Sequence, residues 1–225
     1  MESTLADGVW TFAPSQPVAG MILPLRMTVI RLVDGSLWLH SPTPLTDADA
    51  AEIDALGPVA HIVAPSKLHH MFAGDASRRW PQATLWVAPG LVAKRPDLAP
   101  HQLLSSDAPW AAEITVEPIA GAAAFDEHVF FHRATGTLVV TDLLFNVHTP
   151  LNALTPWILR LTGTWDRLAQ SRVWWFAIRD RAAAAQSARR ILGWPIQRMV
   201  PCHGDVLTED THRKVSEALT WMAAG

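Results

Sequence analysis

Tyrosine is absent from this chain, cysteine occurs once, and neither sign of charge dominates. The single cysteine, Cys202, cannot close an internal disulfide, so a cross-linked secreted scaffold is excluded and a reducing compartment is expected. Lys and Arg number 18 against 21 Asp and Glu, a net charge of −3, which leaves no basic excess for binding nucleic acid. No apolar run approaches the ~18–20 residues that span a bilayer. The opening MESTLADGVWTF has neither the basic start nor the apolar stretch of a signal peptide. The expectation is a cytoplasmic globular protein. There is no repeat, low-complexity tract or long linker, so residues 1–225 are read as one domain. A domain of that size buries roughly 70–75% of its unfolded surface and needs no metal merely to fold. What the chain does have in quantity is tryptophan, 11 residues. Such rings favour cores, interfaces and amphipathic pockets, because each brings a large apolar area and one N–H that wants a partner.

Apolar and alternating runs predict strands over Val9–Ala13, Met27–Val33 and Leu37–His40, the last two joined by an Asp34-Gly35-Ser36 hairpin. Thr46 is placed to cap a helix that Gly57-Pro58 stops. A strand over Ala60–Ala64, a helix over His69–Trp80 and a strand over Ala83–Ala88 follow. Farther on, Glu113–Pro118, His128–Arg133 and Thr137–Thr141 read as strands, with a hairpin at Ala134-Thr135-Gly136. Helical pattern covers Pro150–Leu161, Asp166–Ile178, Arg181–Leu192 and Glu209–Met222, with a last strand over Gln197–Val200. Strands then helices, twice over, predict an α/β fold: a four-layer αββα sandwich with its site at strand ends between the halves.

Four segments set His or Asp just past an apolar strand, where loops on a rigid scaffold carry function. They are Leu39-His40-Ser41-Pro42, Pro65 to His70, Val140-Thr141-Asp142 and Val200-Pro201-Cys202-His203-Gly204-Asp205. Adjacent residues on a regular helix point about 100° apart, so His69 and His70 can meet at one ion only from a strand-to-helix turn. Each histidine also has an ordinary alternative as a hydrogen-bonded turn residue.

Together these segments resemble the metallo-β-lactamase superfamily over most of the chain. TLVVTDLLF looks like the strand that ends in the metal-bridging carboxylate, here Asp142, and MVPCHGD like the loop of the last histidine, here His203. Ser66 and Leu68 stand where two histidines would be, His69-His70 falls near the superfamily's Asp-His pair, and GAAA at 121–124 lacks its lone histidine. RMTVIRL, LHSP, the Pro-x-x-x-His-His loop, Glu127 before VFFH, and TLVVTDLLF are more closely similar to a branch known only as a domain of unknown function.

The resemblance implies a metallo-β-lactamase-like fold with a reduced site of His69, His70, Asp142 and His203, holding one zinc, iron or manganese ion rather than two, or none. Asp142 would hold the metal and orient a water. His40 and Glu127 are candidates to brace the site or replace a missing ligand, and Lys67, with Arg26, to bind an anionic substrate. Cys202 is read as a buried, inert thiol. The segment from Trp157 to Trp175 is read as helix packing, a homodimer face or a pocket lid. Two functions follow. One is a hydrolase of a small ester, thioester, lactone or phosphoester; the other is a catalytically inactive relative that binds a ligand or protein partner.

Overall fold

The structure is a computed structural model that describes residues 3–14 and 23–225; Met1 and Glu2 of the opening segment lie outside them. Strands β1 (Ser3–Ala6), β2 (Val9–Phe12), β3 (Met27–Arg31), β4 (Leu37–His40), β5 (Val59–Ala64), β6 (Thr84–Val87) and β7 (Gln102–Leu103) form one sheet in chain order. It is antiparallel through β4 and parallel from there to β7, because helices α1 (Asp47–Leu56) and α2 (Ala73–Arg79) make the crossovers around β5. The second sheet has the order β13-β10-β9-β8, from β8 (Ile114–Pro118), β9 (His128–His132), β10 (Thr137–Val140) and β13 (Arg198–Pro201). Strand β13 runs parallel to β10, with Val140 opposite Pro201.

Alternation along the strands sorts side chains into layers. On β3 and β4, Met27, Val29, Leu37 and Leu39 face away from the second sheet and pack with Ala50 and Ile53 of α1 and Ala73 and Ala76 of α2. Their neighbours Ile30 and Trp38 face inward, meeting Phe130 and Val139 of the second sheet. On β9 and β10, Val129, Phe131, Leu138 and Val140 pack outward on α6 (Arg181–Leu192) and α7 (Thr211–Ala224). The order is helices, sheet, sheet, helices, the expected αββα sandwich. Tryptophan fills its middle: Trp38 meets Trp110 and Phe130 edge-on, at ring-centroid separations of 5.7 and 5.0 Å.

Local chemistry sets several boundaries. The Thr46 hydroxyl accepts from the Asp49 N–H at 3.1 Å while the Asp49 carboxylate accepts from the Thr46 N–H at 2.9 Å, a reciprocal cap that starts α1. Helix α6 has the bounds its alanine-rich pattern predicts, started by the Asp180 carboxylate on the Ala183 N–H. The helix expected from His69 starts only at Ala73, since residues 66–70 form a turn held by the Ser66 hydroxyl. The helix expected over Asp166–Ile178 is instead a short strand, β12 (Leu168–Ala169), followed by α5 (Val173–Ala177). Pairing of β12 with β11 (Phe145–Asn146), an interaction distant in sequence, overrides the local pattern. The remaining helices are α3 (Leu91–Lys94) and α4 (Thr155–Thr162). Among the described residues, no helix is long and apolar enough to cross a membrane.

Candidate metal centre

Three loops meet at one edge of the sandwich. In the second sheet, β10 and β13 lie side by side in parallel register, and Asp142 and His203 each follow two residues beyond the paired Val140 and Pro201. Their side chains therefore emerge together. The turn after β10 is fastened by Glu127, which is fully buried. Its Oε1 accepts from the N–H groups of Thr141 at 2.9 Å and Leu143 at 3.1 Å, and its Oε2 from that of Asp142 at 3.1 Å. From the other side, Trp174 Nε1 donates to the Asp142 carbonyl at 2.7 Å.

The third loop leaves β5 at Pro65. Buried Ser66 accepts from the Leu68 and His69 N–H groups at 3.2 and 3.0 Å, curling the chain so that His69 reaches across the gap between the sheets. Among the described residues, His69, Asp142 and His203 form the one group whose ligand atoms all lie within 4.8 Å of one another. The two Nε2 atoms are 3.1 Å apart; His69 Nε2 is 3.3 Å from Asp142 Oδ2, and His203 Nε2 is 3.4 Å from Asp142 Oδ1.

The protonation pattern follows from outer partners. His203 Nδ1 lies 2.7 Å from the Pro24 carbonyl, which can only accept, so Nδ1 carries a hydrogen and Nε2 is the nitrogen left to ligate. His203 also stacks on Phe145, with ring centroids 5.3 Å apart. His69 Nδ1 is 2.9 Å from the Ser41 hydroxyl. Burial opposes charge on His69, but the Asp142 carboxylate, aided by Cys202, overcomes it and holds the imidazole's pKa well above the usual range. Burial likewise pushes the Asp142 carboxyl up, and His69 and His203 together pull it well below the ordinary carboxylate range.

These residues fit a metal ion. Two imidazole nitrogens and a carboxylate are a borderline-soft set suited to zinc. Ligand atoms at about 2.0–2.1 Å from a tetrahedral ion sit roughly 3.3 Å from one another; the two Nε2 atoms, 3.1 Å apart, are close to that spacing, and Asp142 faces each imidazole with a different carboxylate oxygen. Asp142 Oδ2 is buried and accepts no well-formed hydrogen bond among the described residues. The cluster lines a cavity of about 200 Å³, bounded also by Ser41, Thr43 and Met71, which leaves an open side for a small molecule.

Other residues singled out in the sequence stand outside the group of three. His70 shares the cavity wall, but its ring is outside the group of three; its Nδ1 is 2.8 Å from an Arg95 guanidinium nitrogen. Burial, then Lys94 and Arg95, lower its pKa. The turn brings the two histidines side by side without converging them. Glu127 braces the Asp142 turn rather than standing in for a ligand, because its oxygens are occupied by three backbone N–H groups. Burial, then the nearby Asp142 charge, raise its pKa to about 7. Lys67 donates to the Ala123 carbonyl at 3.0 Å and is not in the wall of this cavity.

His40 is fully buried, stacked on Trp38 with centroids 5.6 Å apart, and its Nδ1 is 4.0 Å from the buried Cys202 thiol. It therefore backs the cluster without joining it. Arg26 is in the wall, but its guanidinium donates to the carbonyls of Gly204 and Pro201, tying down the His203 loop. Ser41 and Pro24 escaped the sequence reading. Ser41 carried a signal, as the residue after His40 in LHSP; the backbone carbonyl of Pro24 carried none.

Paired sheets between helices, with a His-Asp-His cluster at the strand ends, define a metallo-β-lactamase-fold protein, and solved structures agree. The metallo-β-lactamase from Pontibacter korlensis is 12% identical, covers 99% of this chain and 98% of its own, and superposes with a TM-score of 0.63. That from Erythrobacter litoralis, with β-mercaptoethanol in its active site, is 16% identical over 97% of this chain and 95% of its own, TM-score 0.62. FIM-1 from Pseudomonas aeruginosa in its mono-zinc form is 15% identical over 99% and 96%, TM-score 0.59. At such identities the likeness establishes the fold alone. Within that fold, the chain belongs to the family described as Domain of unknown function (DUF4336), whose model matches residues 6–162. No curated protein matches it by sequence.

Proposed function

We propose that this protein is a metal-dependent hydrolase with a single-ion site, acting on a small ester, thioester, lactone or phosphoester. The observation that carries the reading is the convergence of His69, Asp142 and His203 on one point of a cavity wall. A zinc ion held by these three would supply a coordinated water of pKa about 7 and polarise the scissile oxygen. The Pro24 carbonyl keeps His203 in the tautomer whose Nε2 can ligate, and Ser41 orients His69. Glu127 fixes the direction from which Asp142 approaches. The carboxylate, wedged between two imidazoles, stays ionised and available to orient a water. Ser66 and Leu68 supply no imidazole, which favours one ion over two. The mono-zinc form of FIM-1 offers a precedent within the fold.

A second reading, a ligand-binding relative without catalysis, is favoured by the way the triad can satisfy itself as an imidazolium–carboxylate–imidazole group. Elemental analysis of protein purified without chelator and resupplied with zinc, iron or manganese decides between them. The hydrolase reading expects near-stoichiometric metal in the parent and in His70→Ala, and none in Asp142→Ala or His203→Ala. A parent that takes up no metal overturns it.

A further inference from the structure

A second cavity, of about 220 Å³, begins where the first ends: Leu23, Leu68 and Asp142 line both. Beyond Asp142 its wall is almost entirely carbon, from Phe125, Phe145, Ile158, Leu159, Val173 and Trp174. Such a chamber beside a charged cluster needs an explanation, since protein interiors are ordinarily filled to near-crystalline density. Its floor is anchored, with Trp174 fully buried, edge-on to Phe125 at 4.8 Å and bonded to the carbonyl of Asp142. Its rim is open, flanked by Ile158, Leu159 and Thr162 from the middle and end of α4 and by Val173 at the start of α5. Leu68, at the boundary of the two cavities, presents carbon to both.

We infer that the second cavity binds an uncharged hydrocarbon group of the substrate, an acyl chain or aryl ring of about eight carbons, while the hydrolysable head lies over His69, Asp142 and His203. This rests on the hydrolase reading for the head and on the cavity alone for the tail. The size follows from volume: an apolar cavity of ~150 Å³ takes up benzene, so 220 Å³ scales to about eight carbons. The chemistry follows from the wall, which beyond Asp142 offers no charge and, apart from Thr162 and Ser171, no side-chain hydroxyl to a polar tail. The substrate is thus an amphipath, with a polar carbonyl or phosphoryl head and a medium-length apolar tail.

Straight-chain primary alcohols from butan-1-ol to decan-1-ol probe the tail site without requiring metal or turnover. Titrated calorimetrically into the full chain, before and after chelation, they should bind about fourfold tighter per added methylene up to octan-1-ol and level off beyond it. Ile158→Trp, at the half-buried rim, should weaken octan-1-ol binding at least tenfold with metal content unchanged. Leu68→Gln, which only makes the mouth polar, should weaken it severalfold, and Leu161→Ala, on the solvent side of α4, should not alter it. Affinity independent of chain length, or unaltered by both Ile158→Trp and Leu68→Gln, overturns the inference. Metal uptake separates the two readings. A chain that binds octan-1-ol but no metal sinks the hydrolase reading alone, and one that holds metal but ignores chain length sinks the tail site alone.

Discussion

Glu127 is the residue whose removal most directly tests how the centre is built. Its carboxylate is the acceptor for three successive N–H groups, those of Thr141, Asp142 and Leu143. Each buried donor stripped of its acceptor costs about 1–3 kcal/mol, so the low end for three gives about 3 kcal/mol for Glu127→Ala. For a chain of this length that lowers the Tm by roughly 6–12 °C. Glu127→Gln keeps one oxygen for Thr141 and Leu143 but turns a donor toward the Asp142 N–H, at about 1–2 kcal/mol. Both variants free the Asp142 turn and should weaken zinc binding measured by chelator competition.

The two variants also carry a pH signature. The pKa of Glu127 is raised to about 7 in the folded chain, first by burial and then by Asp142. Between the ordinary glutamate value of 4.5 and about 7 the folded state therefore binds more protons than the unfolded one. The parent's contribution from this group is full below 4.5 and is lost as pH rises through about 7. The Glu127→Gln penalty, read as a Tm difference in metal-free protein, should be larger at pH 5 than at pH 8. A Glu127→Ala variant melting within about 2 °C of the parent would refute the bracing role. A Glu127→Gln penalty equal at both pH values would refute the titration.

Gly204 adopts φ +94, and a Cβ there would overlap the Asn146 carbonyl. Gly204→Ala should cost about 3 kcal/mol in urea unfolding and abolish metal uptake through its neighbour His203; a stable, metal-loaded variant would contradict this. Burial lowers the pKa of His40, His61, His128 and His132, so unfolding takes up protons below about pH 6.5 and the folded state loses stability as pH falls from there. Thermal melts from pH 7 to pH 5 check the sign. His69, in contrast, is held protonated in the metal-free chain, and an arriving ion must expel that proton. Zinc affinity should therefore climb about tenfold per pH unit until His69 is neutral, and proton release should accompany binding in calorimetry; a flat dependence would count against His69 as a ligand.

The sandwich was legible because alternation is a property of side chains. Met27, Val29 and Ile30 already divide into two faces on paper, and Arg181–Leu192 announces its helix by composition and its stop at Gly193. Asp142 and His203 stood out because each follows an apolar run that must end somewhere. Bracing was one of two roles the sequence offered for Glu127, but the groups it holds were not legible, since all three are backbone N–H groups, present at every non-proline residue and marked by no letter. The same holds for the Pro24 carbonyl that sets the His203 tautomer. His69 and His70 look equivalent in sequence; only the Ser66 hydroxyl and the position of Arg95 distinguish them. Helix pattern over Asp166–Ile178 misled because the partner of β12 lies in β11, beyond any local window.

The hydrogen bond between His203 and Pro24 spans 179 residues of chain, and that from Arg26 to Gly204 spans 178. With His69 carried by the first sheet and Asp142 and His203 by the second, no single sheet owns the triad. Contacts so distant in sequence form late, after the entropy of closing the intervening loop has been met. An ion can settle only once β13 lies beside β10 and both sheets have docked. An ion held there would be a bolt through the seam, so denaturant that parts the layers should release it, and metal release would then be a clock for the opening of the sandwich.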